Sequence, residues 1–247
     1  MYGMPPDPLA YGPAMEAHLL GRIAFADCLT LQQRIANQIC FRDDGQICLL
    51  LCEHPPIITI GRGGSPGDVR RDAGSLRSRQ IEVCWVKRGG PTLVHAPGQL
   101  AVYLIAPLRW HGLTVGGHMD RLQAGLLASL LSLGIAAEPR PGHDGVWGRT
   151  GQLAAFGVSV RDWTTMHGAF LNVCPSMGLF RLVDSDPVKG TLMSCLVAEQ
   201  RKPVRMPTVR VELVRHLAAA FGCDRYHLHT GHPLLRPRPV RTVIETS

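Results

Sequence analysis

The sequence predicts an α+β domain whose mixed, mostly antiparallel sheet is flanked by helices. Segments with strand character lie in adjacent groups and outnumber the segments with helical periodicity, unlike the regular alternation of a parallel α/β fold. Hydrophobic residues make up 45% of the 247 residues, enough for a buried core. We expect one domain over residues 18–222, a flexible extension over 1–17 and an irregular tail rich in Pro, Arg and His over 223–247.

Three segments have the apolar spacing of an amphipathic helix. The first begins near Ala24, and the second is predicted over 117–133. The third is predicted over 209–221, with Thr208 as its N-cap. A glycine follows the second and third segments, as is common where a helix ends.

Strands are predicted where short apolar or β-branched runs lie between turn residues. The segment 61–78, with its Gly, Ser, Pro and Arg, is predicted to be a loop. The predicted strands are 47–52, 57–60, 81–86, 101–106, a hairpin of 145–148 with 152–160, and 164–173.

The chain is basic, with a net charge of +7 and a pI of about 9.2. Because no Lys/Arg run is interleaved with aromatic residues, an acidic protein is the expected partner and nucleic acid is not. No apolar run reaches the length of a membrane span, and residues 1–15 lack the pattern of a signal peptide. We therefore expect a cytoplasmic protein without a membrane partner.

The eight cysteines include no CxxC pair, so we expect reduced, buried thiols. The spacing of His227, His229 and His232 is compatible with zinc, but the segment adjoins the Pro/Arg-rich tail and is interpreted as solvated. No metal site is expected.

The first segment with chemical potential begins at Arg88-Gly89-Gly90 and reaches His95. Glycines after a strand allow close approach of a ligand to the backbone, and Arg88 can bind a carboxylate or phosphate through two hydrogen bonds. His95 can serve as acid, base or hydrogen-bond donor. A tight turn between two strands with a hydrogen-bonded histidine explains the segment equally well.

Two further segments contain small residues or a histidine on strands. Ala154, Ala155 and Gly157 leave room beside their strand for an acyl chain or for a neighbouring backbone. His167 and Gly168 open the next strand, and a structural role is favoured for this histidine.

In this order, the motifs "RGG…H-x-PGQL", "RPG-x-x-GVW", "AA-x-GV" and "HG-x-x-LNV", preceded by "EHPPIITIGR", resemble the octanoyltransferases of lipoate synthesis. The resemblance covers about residues 20–196 and implies the fold of the biotin and lipoate protein ligases. It also implies octanoyl transfer, without a cofactor, from acyl carrier protein to a lysine of the lipoyl domains of 2-oxoacid dehydrogenases or of the glycine cleavage H protein. The acyl-binding residues that it implies are Arg88, Gly89, Gly90, Pro91, Thr92, Leu93, Val94, His95, Ala155, Phe156, Gly157, His167, Gly168 and Ala169.

The chain departs from that family where catalysis is expected. Gln152 stands at the position of the family's lysine, and Asp186 stands at the position of its nucleophilic cysteine. A neutral amide cannot keep a thiolate ionised, and a carboxylate is a weaker nucleophile that would form a reactive anhydride.

Three hypotheses follow. In the first, the chain is an acyltransferase with a non-standard site, in which Asp186 acts as nucleophile or base, Cys195 acts as a displaced nucleophile, or Lys189 supplies the missing charge. His95 is a further candidate catalytic residue. In the second, an inactive homologue binds acyl groups or lipoyl domains. In the third, the chain is an ATP-dependent lipoate- or biotin-type ligase, against which Gln152 counts.

Overall fold

A computed structural model of the chain describes residues 13–42, 44–184 and 192–235. The strands are β1 (Ala14–Arg22), β2 (Ile47–Glu53), β3 (Ile57–Ile60), β4 (Glu82–Trp85), β5 (Thr92–His95), β6 (Gln99–Ile105), β7 (Glu138–Arg140), β8 (His143–Gly148), β9 (Gly151–Arg161), β10 (Thr164–Asn172) and β11 (Arg225–Thr230). The helices are α1 (Phe25–Arg42), α2 (Ala73–Ser78), α3 (Val115–Ser132), α4 (Met177–Phe180), α5 (Leu196–Gln200) and α6 (Met206–Ala220), with a 3-10 turn at Pro66–Asp68.

The strands form two sheets. The large sheet has the order β11-β1-β2-β6-β10-β9-β8-β7, and the small sheet has the order β4-β3-β5. β1 runs parallel to β11 and β2, and β3 runs parallel to β4. The other neighbouring strands are antiparallel. The predicted α+β class with a mixed, mostly antiparallel sheet is therefore confirmed.

The large sheet separates two layers because side chains alternate along its strands. On β2, Leu49 and Leu51 join the apolar cluster that includes the buried face of α3 and α6. Leu50 points to the opposite face, into a cluster with α1 and with Leu93 of the small sheet. Two of the residues predicted to bind the acyl chain, Leu93 and Ala155, lie in this second layer.

Two segments predicted to lie outside the domain form its edge. The prediction of a flexible extension over 1–17 is wrong for Ala14–Ala17, because these residues belong to β1. The prediction of an irregular tail over 223–247 is wrong for Arg225–Thr230, because these residues form β11. Every residue of β11 is exposed, so it shows no apolar alternation, and its backbone pairing with β1 holds it in place.

Two local predictions also need correction. Thr208 lies inside the first turn of α6, because that helix begins at Met206 and Arg205 occupies the cap position. The loop predicted over 61–78 contains α2, whose cap Asp72 accepts a hydrogen bond from the Ser75 N–H.

Candidate active site

The Arg88-Gly89-Gly90 segment packs directly against β9. The Gly89 N–H donates to the Val158 carbonyl at 2.8 Å. A Cβ at Gly90, whose φ is +80°, would lie 2.7 Å from the Phe156 carbonyl oxygen, so only glycine fits there. A Cβ at Gly157 would lie 2.7 Å from the Gly89 carbonyl oxygen. The small residue at 157 therefore admits a neighbouring backbone, the alternative that the sequence left open.

Strand pairing joins the third predicted segment to the same place. Gly168 lies opposite Gly157 in the β9–β10 pair, and His167 lies opposite Val158. The three groups of residues predicted to bind an acyl chain therefore converge in the fold, and all of 92–95, 155–157 and 167–169 are buried. Their role in substrate binding stays a prediction.

The Arg88 side chain is fully buried and ties the glycine segment to β3. One terminal nitrogen donates to the Gly89 and Pro91 carbonyls at 3.0 and 2.9 Å, and the other donates to the Thr59 carbonyl and hydroxyl at 3.1 and 2.7 Å. Burial lowers the pKa of Arg88 to about 10, so the guanidinium is still charged at neutral pH. All four of these hydrogen bonds from the guanidinium go to neutral oxygens, and none of the acceptors is a carboxylate.

His95 continues a chain of hydrogen bonds that starts at Arg88. The Thr59 hydroxyl accepts from Arg88 and is 2.8 Å from His95 Nε2, to which it donates. His95 Nδ1 lies 2.9 Å from the Gln99 Oε1 and must carry the proton, because an amide oxygen only accepts. Burial first, and then the charges of His54 and Arg88, hold the pKa of His95 well below its usual value, so the imidazole is neutral.

The chain of hydrogen bonds then crosses to the far end of the site. The Gln99 amide N–H donates to Asn172 Oδ1 at 2.9 Å. The Asn172 amide N–H donates to the Ser194 carbonyl at 3.0 Å. Residues distant in sequence are thus joined into one buried network from Arg88 to Ser194.

His167 is constrained by the backbone. It has a left-handed φ of +62°, and its N–H donates to Gln32 Oε1 at 2.8 Å. Burial and the Arg88 charge lower the pKa of its imidazole to about 3. These features agree with the structural role favoured for this residue.

A cavity of about 360 Å³ lies beside Gln152. The Gln152 N–H donates to the Leu192 carbonyl at 2.8 Å, and its carbonyl accepts from the Ser194 N–H at 2.9 Å. The side-chain amide donates to the Ala154 carbonyl at 3.2 Å. The residues that line the cavity are Arg70, Thr150, Gln152, Met177, Phe180, Arg181, Val183, Asp184, Leu192 and Met193.

Of the other residues predicted to act here, two lie outside the described part of the chain and Cys195 does not line the cavity. Asp186 and Lys189 lie outside the described residues. Asp184 lies 3.1 Å from Arg70 in an exposed ion pair. Cys195 is 6% exposed at the cap of α5 and is absent from the lining. The described part of the lining therefore contains no thiol and no amine.

A hydroxyl and carboxylate group at the rim was missed by sequence reasoning. The Thr150 hydroxyl lies 2.6 Å from both Ser194 Oγ and Glu199 Oε2, and its N–H donates to the same carboxylate at 2.8 Å. Burial tends to raise the pKa of Glu199, but the Thr150 and Arg149 hydrogen bonds outweigh it and hold the pKa below its usual value. No local motif signals this group, since Thr150 is 49 residues from Glu199.

Comparison with known proteins assigns the family. The model of the lipoyl protein ligase A/B catalytic domain matches residues 25–218. An octanoyltransferase of Geotalea uraniireducens is 35% identical over 194 residues, which are 78% of this chain and 87% of that protein. An octanoyltransferase of Syntrophotalea carbinolica is 34% identical over 202 residues, covering 82% of this chain and 92% of that protein.

Solved structures show the same fold at low sequence identity. A lipoate-protein ligase A bound with ATP has a TM-score of 0.72 at 15% identity and covers 89% of this chain and 90% of its own. A bipartite lipoate protein ligase of Thermoplasma acidophilum has a TM-score of 0.71 at 15% identity, covering 89% of this chain and 88% of its own. Among the helices that the structure describes, none is long and apolar enough to span a membrane.

Proposed function

This chain belongs to the family of lipoyl protein ligase A/B catalytic domains, with octanoyltransferase relatives in lipoate biosynthesis, and we propose that it transfers octanoyl from acyl carrier protein to a lysine of a lipoyl domain through a rearranged site beside Gln152. One observation carries the proposal. The buried network from Arg88 ends at Ser194, whose hydroxyl meets Thr150 at the rim of the Gln152 cavity. The motifs predicted to bind the acyl chain are thus connected by hydrogen bonds to the place where chemistry is expected.

The proposed route is direct aminolysis. The acceptor lysine, as a free amine, attacks the thioester carbonyl, the C–N bond forms, the C–S bond breaks, and the carrier thiolate leaves. Asp186 takes the proton that the amine loses and passes it to the departing thiolate, so the carboxylate is regenerated. A covalent anhydride on Asp186 is disfavoured because a carboxylate is a weak nucleophile toward a thioester and the anhydride it would form is highly reactive.

Gln152 has a defined part in this route. An amide carries two N–H donors, of which one is given to the Ala154 carbonyl. The second can donate to the oxyanion that develops on the thioester oxygen. A neutral donor suits a route without a nucleophilic thiolate on this chain, since no cysteine has to be kept ionised by a lysine.

The proposal is tested by incubating the full chain with octanoyl-acyl carrier protein and an apo lipoyl domain, followed by intact-protein mass spectrometry. We expect octanoylated lipoyl domain without an octanoyl adduct on this chain, and a loss of about 100-fold in rate for Asp186→Asn. Cys195→Ser, in the buried cap position, is the matched control and should keep the parent rate. An adduct on Asp186 would replace the direct route by a covalent one. No transfer, with a cysteine- and lysine-bearing relative active in parallel, would overturn the proposed activity.

A second candidate function is binding without turnover. The absence of a thiol and an amine from the described cavity lining favours it. Calorimetry with octanoyl-acyl carrier protein and with an apo lipoyl domain separates the two candidates. Binding of either protein by a chain that shows no transfer would support recognition, and absence of binding to both would remove this candidate.

A further inference from the structure

A second cluster of reactive side chains lies in the α1 layer, away from the Gln152 cavity. Cys28 of α1, Cys52 of β2 and His54, just after β2, are each no more than 2% exposed. Cys28 Sγ lies 3.8 Å from Cys52 Sγ, and Cys52 Sγ lies 3.6 Å from His54 Nε2. Their three ligand atoms all lie within 4.8 Å of one another. The sequence analysis assigned no role to any of them.

These separations match the edges of a zinc tetrahedron. With Zn–S bonds of about 2.3 Å and Zn–N bonds of about 2.0–2.1 Å, the sulfurs are about 3.8 Å apart and a sulfur and a nitrogen are about 3.5–3.6 Å apart. The two measured edges agree with those values. A small side-chain rotation closes the third edge, which is no longer than 4.8 Å.

The histidine is held in the tautomer that a metal requires. His54 Nδ1 lies 2.8 Å from the Ile23 carbonyl oxygen, which only accepts, so Nδ1 carries the proton. Nε2 therefore carries no proton and lies 3.6 Å from Cys52 Sγ, the state of a metal-binding histidine whose tautomer is fixed by a backbone carbonyl. The Tyr103 hydroxyl, 2.7 Å from Nε2, donates to the lone pair of this nitrogen, so an ion bound there would replace that hydrogen bond.

The sulfur of Cys28 also accepts a hydrogen bond from a side chain outside the proposed ligand set. Gln32 Oε1 accepts from the His167 N–H, which orients its amide, and Gln32 Nε2 lies 3.8 Å from Cys28 Sγ. An N–H donor directed at a metal-bound thiolate is a common supporting contact. Charge also balances, because Zn²⁺ displaces two thiol protons and the two thiolates neutralise the ion in the buried layer.

We propose that Cys28, Cys52 and His54 form a structural zinc site that joins α1 to β2. The proposal is independent of acyl transfer, and its test does not use activity. Because all three ligands are buried, the metal enters during folding, so the chain must be refolded for loading. Exposed thiols at Cys40 and Cys174 are first replaced by serine to prevent surface binding.

The full chain in this background is unfolded with chelator under reducing conditions, then refolded with Zn²⁺, with Co²⁺ or with chelator alone. Elemental analysis should find one zinc per chain. The cobalt form should show the intense visible bands of a tetrahedral site and a near-ultraviolet thiolate-to-cobalt charge-transfer band. Cys28→Ser, Cys52→Ser and His54→Gln should each lower zinc retention against a competing chelator at least tenfold.

Cys48→Ser is the matched control, because Cys48 is a buried thiol on the same strand and in the same apolar layer. It should retain zinc like the background chain. The cobalt spectrum of the background chain, which keeps all three proposed ligands, shows whether thiolates bind the metal. This result does not depend on whether a ligand variant folds. The proposal is overturned by a refolded chain that holds no zinc, by equal loss in Cys48→Ser, or by a Cys28–Cys52 disulfide in peptide maps of freshly purified, unreduced protein.

Discussion

The Arg88 network and the Gln152 cavity are parts of one site with opposite characters. The side chains of Arg88 and His95 are fully buried, and both terminal nitrogens of Arg88 and both ring nitrogens of His95 have hydrogen-bond partners. Around Gln152, several lining side chains are exposed or partly exposed, and the expected lysine and cysteine are replaced. The difference teaches that the residues predicted to bind the acyl chain also form part of the buried core of this chain, whereas the position expected to carry out the chemistry lies at its surface.

The largest effect is expected from removing the Arg88 guanidinium. Arg88→Met removes the four hydrogen bonds that the buried guanidinium donates to Gly89, Pro91 and Thr59, which should lower the free energy of unfolding by roughly 3 kcal/mol or more. Urea denaturation measures the change. Arg62→Met, at an exposed arginine on the neighbouring turn, should change stability by less than about 0.5 kcal/mol. Equal losses in both variants would show that the network does not determine stability.

The next effect concerns the contact between the glycine segment and β9. Gly157→Ala places a methyl group 2.7 Å from the Gly89 carbonyl oxygen and 2.8 Å from Arg88 Cδ. We expect a loss of about 1–3 kcal/mol in urea denaturation, since this layer has no spare volume. Gly116→Ala, where the nearest atom is 3.7 Å away on α3, should not destabilise the chain. A neutral Gly157→Ala would mean that an acyl-sized space does exist beside Gly157.

Burial of His167 beside Arg88 should also make stability depend on pH. Burial lowers the pKa of His167 to about 3, so between pH 6.5 and 5 the unfolded chain binds more protons than the folded chain. Stability is therefore fully present above about pH 7 and falls as pH falls, by up to about 1.4 kcal/mol per pH unit for this group.

His167→Asn, which tolerates the left-handed φ of +62°, should reduce that slope in urea titrations between pH 6.5 and 5. Phe25→Leu, beside the same rings, should destabilise the chain without changing the slope, since no titratable group is removed. An unchanged slope in His167→Asn would contradict a buried, neutral imidazole.

The smallest effect on stability is expected at the cavity. Gln152→Lys should change the free energy of unfolding by less than about 1 kcal/mol, because the side chain is only partly buried. Together with Asp186→Cys, it should create an octanoyl thioester on residue 186, detected by intact-protein mass spectrometry after incubation with octanoyl-acyl carrier protein. Gln152→Lys alone should form no adduct. A double variant that folds but stays unacylated would mean that the cavity is not the reaction site.

Sequence patterns predicted most elements that have an apolar face. The periodicity of α1 and α3 and the hairpin of β8 with β9 were predicted, because burial imposes a repeat on the residues concerned. β11 was missed because all its side chains are exposed and only its backbone pairs. α2 was missed in a glycine-rich stretch, since it buries Leu76 alone.

The sequence by itself determined the family, the α+β class and the two altered positions, because these depend on residue identity and order along the chain. Tertiary structure alone decided that Gly157 admits a backbone, that Arg88 binds neutral oxygens, and that Thr150 meets Glu199. It also brought Cys28 to Cys52 and His54 across 24 residues of sequence. Each of these contacts joins residues from different elements. Such contacts depend on how the elements pack together, and no local sequence pattern records them.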